Sequence, residues 1–118
     1  MNLTLKKEPV SEGTQLVYLA GELDIYSAPD FKEEMLSLIN EGCRNLIINL
    51  DNLKYIDSRG LGTFIGISRN IKEKEGSLAL VCANATIIRT FQRTGLMEIF
   101  RVFETNNEAL ESLNLTPT

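Results

Sequence analysis

Residues 46–62 read LIINLDNLKYIDSRGLG, and they are the best indication of the fold class. Its first part, residues 46–50, is a nearly continuous apolar run, which is typical of a strand that is covered on both faces. The predicted strand continues through Asp51 to Ile56, and a helix is expected to begin at about Ser58. A buried strand that leads into a helix predicts an α/β protein, in which helices cover a sheet.

The segments on either side repeat this alternation. Two β-like runs at 3–7 and 15–21 flank a turn that contains Pro9 and Gly13, which predicts an opening hairpin. A helix is predicted next, with Ser27 as its N-cap and Gly42 at its end. Further strands are predicted at residues 78–82 and 100–103.

Three more helices complete the predicted elements. The second helix should run from about Ser58 to Glu75, and a third should begin at the N-cap Asn84 and stop at Gly95. A fourth is predicted to run through Leu113. It should begin with a capping box, in which the Glu108 side chain reaches back to the backbone amide of the N-cap Thr105. The tail after it is expected to be frayed. The predicted buried stripe of the second helix consists of Leu61, Phe64, Ile65, Ser68 and Ile71.

Composition excludes several classes of protein. The chain has 118 residues, of which 43% are hydrophobic, so we expect one compact domain with a modest core. Twelve basic and 16 acidic residues give a net charge of −4, without the basic block that binding to nucleic acid uses. Because no apolar run approaches about 20 residues and the first residues lack a signal-peptide core, we expect a cytoplasmic protein that does not contact a membrane.

Catalysis is disfavoured because the chain has no histidine, which is the commonest general base and a favoured metal ligand. Asp24, Asp51 and Asp57 all lie at predicted strand ends and could converge on a divalent cation. Aspartates at such positions more often cap turns and helices. We therefore expect neither an enzyme nor a metal site.

Gly60, Gly62 and Gly66 form a GxGxxxG pattern after a strand, which is a loose variant of the dinucleotide-binding fingerprint. The acidic residue that would bind the ribose is missing at the end of the next strand, and no Walker lysine follows the glycines. Weak nucleotide binding remains an alternative function.

The spacing of Gly62 and Gly66 favours a second interpretation. The two glycines lie four residues apart, so they share one helix face, roughly opposite the apolar stripe, and leave backbone exposed there. Either a neighbouring loop packs closely on this face, or a partner protein lies flat on it. Arg69, seven residues beyond Gly62, would extend the same surface.

Ser58 is the candidate regulatory residue because a serine at a helix entrance is exposed and a kinase can reach it. Unpaired backbone amides and a partial positive charge let a helix N-terminus tolerate an added phosphate. A purely structural interpretation stays open, in which Ser58 is an N-cap, Asp57 forms a turn and Asp24 ends the hairpin.

Four motifs in this order resemble a known family. They are Gly21-Glu22-Leu23-Asp24, Leu50-Asp51, Ile56-Asp57-Ser58 with Gly60-Leu61-Gly62, and Thr94-Gly95-Leu96. Over nearly its whole length the chain resembles the anti-sigma factor antagonists, which are single STAS domains of bacterial partner-switching systems of the SpoIIAA and RsbV type.

The resemblance implies a STAS-type mixed β-sheet covered by about four α-helices, in one domain over residues 1–118. It implies binding to an anti-sigma factor, a serine kinase of the histidine-kinase-like ATPase type, and release of a sigma factor. In that family the kinase phosphorylates the serine that matches Ser58, phosphorylation blocks binding, and a PP2C-type phosphatase restores it. The chain would need no cofactor and is expected to be a monomer.

The resemblance also implies a partner surface around the serine motif. Arg59 departs from the family, which commonly has a small residue there, and its guanidinium could pair with a phosphate or contact the partner. The remaining alternative is a STAS adaptor subunit of a stressosome or a lipid-transport assembly. The candidate partner-binding residues are Asp24, Asp57, Ser58, Arg59, Gly60, Gly62, Gly66 and Arg69.

Overall fold

A computed structural model describes residues 2–113, and strands alternate with helices in this range as the sequence predicts. The strands are β1 (Leu3–Ser11), β2 (Thr14–Leu23), β3 (Asn45–Ile56), β4 (Ser77–Val81) and β5 (Arg101–Phe103). The helices are α1 (Ala28–Asn40), α2 (Ser58–Glu73), α3 (Ala85–Arg93) and α4 (Asn106–Ser112), with a short 3-10 turn at Leu96–Glu98. The predicted frayed tail lies outside the described residues.

The strands form one mixed sheet in the order β1-β2-β3-β4-β5. The hairpin strands β1 and β2 are antiparallel, and every later neighbour pair is parallel. Each parallel pair is joined through one helix, because parallel neighbours need a long crossover connection. The prediction of a mixed α/β sheet covered by four helices is confirmed.

Three helices, α1, α2 and α3, pack on one face of the sheet and enclose the larger core. Phe64 of α2 lies at its centre, with ring centroids 5.7 Å from Phe31, 6.0 Å from Phe91 and 6.4 Å from Phe100. These separations are in the range that favours edge-to-face aromatic contacts. The aromatic cluster therefore fixes α2 against both of its neighbouring helices.

Within residues 2–113, α4 is the one helix on the opposite face of the sheet, where it covers a smaller cluster that includes Ile47 and Ala109. A polar link holds the start of this helix. The Asn49 amide donates to Oδ1 of Asn106 at 2.8 Å, and the Asn106 amide donates to the Tyr18 hydroxyl at 3.1 Å. Because the Asn49 side chain is buried, this bond satisfies a group that would otherwise be costly to bury.

The two predicted strands of the hairpin were too short. β2 continues to Leu23 instead of ending at Gly21, because it keeps pairing with β3 up to the partners Leu23 and Ile56. Gly21 lies on this part of β2 with φ of +103°, and a Cβ there would meet the Asn2 carbonyl. Only glycine fits this close approach, which explains the first residue of the Gly21-Glu22-Leu23-Asp24 motif.

Some details of the predicted helices were wrong. α2 ends at Glu73, before the predicted Glu75, which has a positive φ of 63°. Ile65 is only half-buried, whereas Ile67 is completely buried. The Glu108 carboxylate reaches back as predicted, but it accepts the Glu104 amide and not the amide of the N-cap.

Candidate functional site

The entrance of α2 is organised by Asp57, which is the true N-cap of the helix. Its Oδ1 accepts the backbone amides of Arg59 and Gly60, each at 3.0 Å. The interpretation of Ser58 as the N-cap was therefore wrong, since Ser58 is the first helical residue and is exposed. Its hydroxyl lies beside a helix N-terminus whose capping bonds are made by another side chain.

The second oxygen of the Asp57 carboxylate joins α2 to the loop after β2. Oδ2 accepts the backbone amide of Ile25 at 3.1 Å. The loop itself closes on Asp24, whose Oδ1 accepts the amides of Tyr26 and Ser27, each at 3.0 Å. These donors, the Ser27 amide foremost, hold the pKa of Asp24 below its ordinary value. The two predicted aspartates thus fix one loop beside Ser58.

Ser27 stands at the N-cap position of α1, but its side chain makes no capping bond. Its hydroxyl instead donates to the Glu22 carbonyl oxygen at 2.9 Å and accepts the Asp24 amide at 3.0 Å. The predicted cap was therefore wrong in its bonding, because the hydroxyl is used to close the loop after β2.

The outer face of α2 carries most of the other candidates. Ser58, Gly62 and Arg69 are exposed and lie within about 40° of one another around the helix axis, given 100° per residue. A Cβ at Gly62 would meet nothing within 4 Å, so the backbone there is open to a partner. Gly66 is partly covered by α1, since a Cβ there would lie 2.9 Å from Nζ of Lys32.

Gly60 differs from these residues because it is buried. A Cβ at this position would lie 2.6 Å from the Leu23 carbonyl oxygen and 2.8 Å from Cγ1 of Ile56. Gly60 therefore allows α2 to approach the ends of β2 and β3. Its spacing of four residues from Phe64 and seven from Ile67, both buried, was the sequence signal for this.

Asp51 has a structural partner on a different loop. Its Oδ1 accepts the Ala83 amide at 2.7 Å, while the Asn84 side chain donates to the Leu53 carbonyl and caps α3. Among residues 2–113, no group of three or more acidic or thiol side chains is placed to hold a metal ion. The strand-end carboxylates of Asp24, Asp51 and Asp57 serve as acceptors for backbone amides.

The glycine pattern does not form a phosphate-binding loop. Gly60, Gly62 and Gly66 all lie inside α2, whereas the dinucleotide fingerprint needs its first glycines in the turn before the helix. The amides of Arg59 and Gly60 at the helix entrance already donate to Asp57. This arrangement disfavours nucleotide binding at the pattern.

Two exposed apolar residues beside the site were missed from the sequence. Ile25 and Tyr26 stand in the loop after β2, and their side chains are 47% and 76% exposed. An apolar pair after a strand is equally compatible with burial, so this exposure was not predictable from the sequence alone.

Within the described range, none of the helices is both long and apolar enough to span a bilayer.

Comparison with known proteins identifies the family. The model of the STAS domain matches residues 7–109. The anti-sigma-B factor antagonist of Bacillus subtilis strain 168 is 41% identical over 86 residues, which are 73% of this chain and 78% of that protein. The SpoIIAA anti-sigma factor antagonist in its unphosphorylated form superposes with a TM-score of 0.82, at 25% identity over 98% of this chain and 100% of that one.

A phosphorylated relative has also been solved. The Bacillus cell fate determinant SpoIIAA in its phosphorylated form is similar, with a TM-score of 0.72 and 26% identity over 92% of this chain and 98% of that chain. The match to the STAS domain model, the shared fold and the sequence identity agree with one another. The chain therefore belongs to the STAS domain family and, within it, to the anti-sigma factor antagonists.

Proposed function

We propose that this chain binds a kinase-type anti-sigma factor in the cytoplasm and thereby releases a sigma factor to RNA polymerase. Support comes from the 41% identical relative, which carries the name anti-sigma-B factor antagonist, and from the fold shared with SpoIIAA. The partner surface is the outer face of α2 together with the loop of residues 24–27. A partner would approach the open backbone at Gly62 and the side chains of Ser58 and Arg69.

Phosphorylation of Ser58 by the same kinase switches the antagonist off. The observation that carries this assignment is the position of Ser58, exposed on the first turn of α2 while Asp57 makes the capping bonds. Thr63 on the same helix is a poor acceptor, because it is buried and its hydroxyl donates to the Arg59 carbonyl at 2.9 Å. A phosphoserine at position 58 is compatible with the fold, since the helix N-terminus favours negative charge.

The added phosphate acts on the interface and leaves the core intact. It brings a charge of about −1.5 to −2 next to the Asp57 carboxylate, and it adds bulk where the partner would meet a small hydroxyl. A loss of about 3 to 4 kcal/mol in binding free energy would lower the affinity by roughly a few hundredfold. A PP2C-type phosphatase that removes the phosphate would restore binding.

Arg59 modifies this switch. Its side chain is exposed and follows the acceptor directly, so its guanidinium can pair with a phosphate on Ser58 and offset part of the added charge. The variant Arg59→Ala should make a Ser58→Asp substitution more disruptive to binding than it is in the unmodified chain.

The test is tandem mass spectrometry after incubation with Mg-ATP, with and without the kinase-type anti-sigma factor encoded in the same genome. We expect one phosphate, on Ser58, only when the kinase is present, and none on Thr63. Ser58→Ala is the matched control and should stay unmodified. If an active kinase modifies neither the wild-type chain nor Ser58→Ala, the switch is wrong and the role of a STAS adaptor becomes the better hypothesis.

A further inference from the structure

The loop of residues 24–27 exposes two large apolar side chains next to the proposed switch. Tyr26 is 76% exposed, the largest exposed fraction among the large apolar residues of the described range, and Ile25 beside it is 47% exposed. The other exposed members of this class are single residues along the chain, namely Val10, Tyr55 and Ile99. Adjacent exposed apolar side chains beside a site are typical of an interaction surface.

The backbone of this loop is held in place on both sides. The carboxylate of Asp24 accepts the amides of Tyr26 and Ser27, and the carboxylate of Asp57 accepts the amide of Ile25. The hydroxyl of Ser27 ties the loop to the Glu22 carbonyl as well. The loop is thus ordered by polar bonds to its backbone, although its apolar side chains contribute little to the core.

The same bonds place the loop beside the acceptor serine. The Asp57 carboxylate binds the Ile25 amide through one oxygen and caps α2 through the other, and Ser58 is the next residue along the chain. A protein that covers Ser58 therefore approaches the loop that carries Ile25 and Tyr26, both of which are exposed. Rigid aromatic residues in such positions carry a large share of binding energy in protein interfaces.

We propose that Ile25 and Tyr26 form the apolar anchor of this interface and fit an apolar pocket of the kinase-type anti-sigma factor. This inference rests on the proposed function, because it names the residues that hold the same partner. The anti-sigma factor is assigned as the occupant and not the phosphatase. An antagonist must hold its target in a lasting complex, whereas a phosphatase needs only a brief encounter with phosphorylated Ser58.

The anchor and the switch then have separate tasks. Burial of Ile25 and Tyr26 supplies affinity that depends little on ionic strength, because it is apolar. Phosphate on Ser58 removes that affinity by charge and bulk at the adjoining position. Loss of the anchor should therefore weaken binding in both low and high salt.

The test measures binding of the intact chain to the kinase-type anti-sigma factor by calorimetry. For the double variant Ile25→Ala/Tyr26→Ala we expect the dissociation constant to rise about 30-fold or more, as for the loss of an interface hot spot. Tyr26→Phe keeps the ring and should stay within about threefold of wild type. The matched control is Val10→Ala, which removes a 42% exposed apolar side chain near the far end of β1 and should leave binding unchanged.

Thermal unfolding checks that each variant keeps the Tm of the wild-type chain. If the double variant has a lower Tm, binding of the single variant Tyr26→Ala is measured in its place. Binding of the double variant within about twofold of wild type, with loss of binding in Ser58→Asp, would overturn the anchor and leave the proposed function standing. Absence of binding by the wild-type chain would overturn both.

The phosphatase serves as the second arm of the test. The rate at which a PP2C-type phosphatase removes phosphate from Ser58 should be the same in the double variant as in wild type. A fall in that rate as large as the loss of kinase binding would show a loop shared by both partners, and the assignment to the anti-sigma factor alone would be wrong.

Discussion

The two faces of α2 differ in the substitutions that they tolerate. The inner face carries Gly60, Phe64 and Ile67, all buried against the sheet and the neighbouring helices. The outer face carries Ser58 and Gly62, both exposed. Volume limits the inner face, while the outer face can change in charge and size without disturbing the core. One helix therefore separates the requirements of the fold from those of recognition.

Phe64→Ala should have the largest effect, because this ring contacts three other aromatic rings at the centre of the larger core. We expect the free energy of unfolding to fall by about 3 to 5 kcal/mol, measured by urea denaturation. Arg69→Ala on the outer face is the control and should change it by less than about 0.5 kcal/mol. Similar losses in both variants would contradict the separation of the two faces.

A matched pair of glycine substitutions tests the two faces of α2 separately. Gly60→Ala places a Cβ 2.6 Å from the Leu23 carbonyl oxygen and should lower the free energy of unfolding by about 1 to 3 kcal/mol. Gly62→Ala meets no atom within 4 Å and should raise it by up to about 1 kcal/mol, because alanine favours the helix. Urea denaturation of the two variants measures both.

The binding of the same variants tests the outer face. Gly62→Ala should fold well and bind the anti-sigma factor more weakly, since the methyl group would stand on the proposed partner surface. Equal stability of Gly60→Ala and Gly62→Ala would contradict the close approach at Gly60.

Asp57→Ala should have an intermediate effect. It removes the N-cap of α2 and the acceptor for the Ile25 amide, so we expect a loss of about 1 to 2 kcal/mol in the free energy of unfolding. Asp57→Asn retains an acceptor oxygen and should lose less. Hydrogen exchange should speed up at Ile25 and at Gly60 in the alanine variant, and unchanged exchange at both amides would argue against the shared role of this carboxylate.

The smallest effect is expected at low pH, where the Asp24 carboxylate is protonated. Because the folded-state pKa of Asp24 lies below the ordinary value of 3.8, its carboxylate stabilises the loop above that pH. This contribution is lost as the pH falls through the lowered pKa. An NMR titration from pH 5 downward should show the Tyr26 and Ser27 amide resonances shifting together below about pH 3.8. In Asp24→Asn the two resonances should not follow this titration.

The sequence predicted the elements of the fold better than their contacts. Within residues 2–113, alternating apolar runs and capping residues were enough to predict every strand and α-helix, because the spacing of apolar residues follows the local geometry of each element. The inner stripe of α2 was less certain, since Ile65 and Ile67 flank Gly66 and both are apolar. Packing against the sheet decided that Ile67 is buried and Ile65 only half-buried.

The site was predictable in part. Asp57 and Ser58 are adjacent and both are good N-cap residues, so the local sequence could not decide which one caps α2. The length of β3 decided it, because this strand runs to Ile56 and places Asp57 at the cap. The loop that exposes Ile25 and Tyr26 is held by a hydrogen bond from the Ile25 amide to Asp57, which is 32 residues away from Ile25 along the chain.

The unequal cover of the sheet has a consequence for synthesis of the chain. Among the described residues, the sheet face that carries the smaller cluster is covered by α4 alone, and this helix follows every strand. During translation, the apolar side chains of Leu16, Ile47 and Val81 therefore face water until residues 106–112 have left the ribosome tunnel. The nascent domain can close its larger core first, and it stays open to chaperones on one side until this short helix docks.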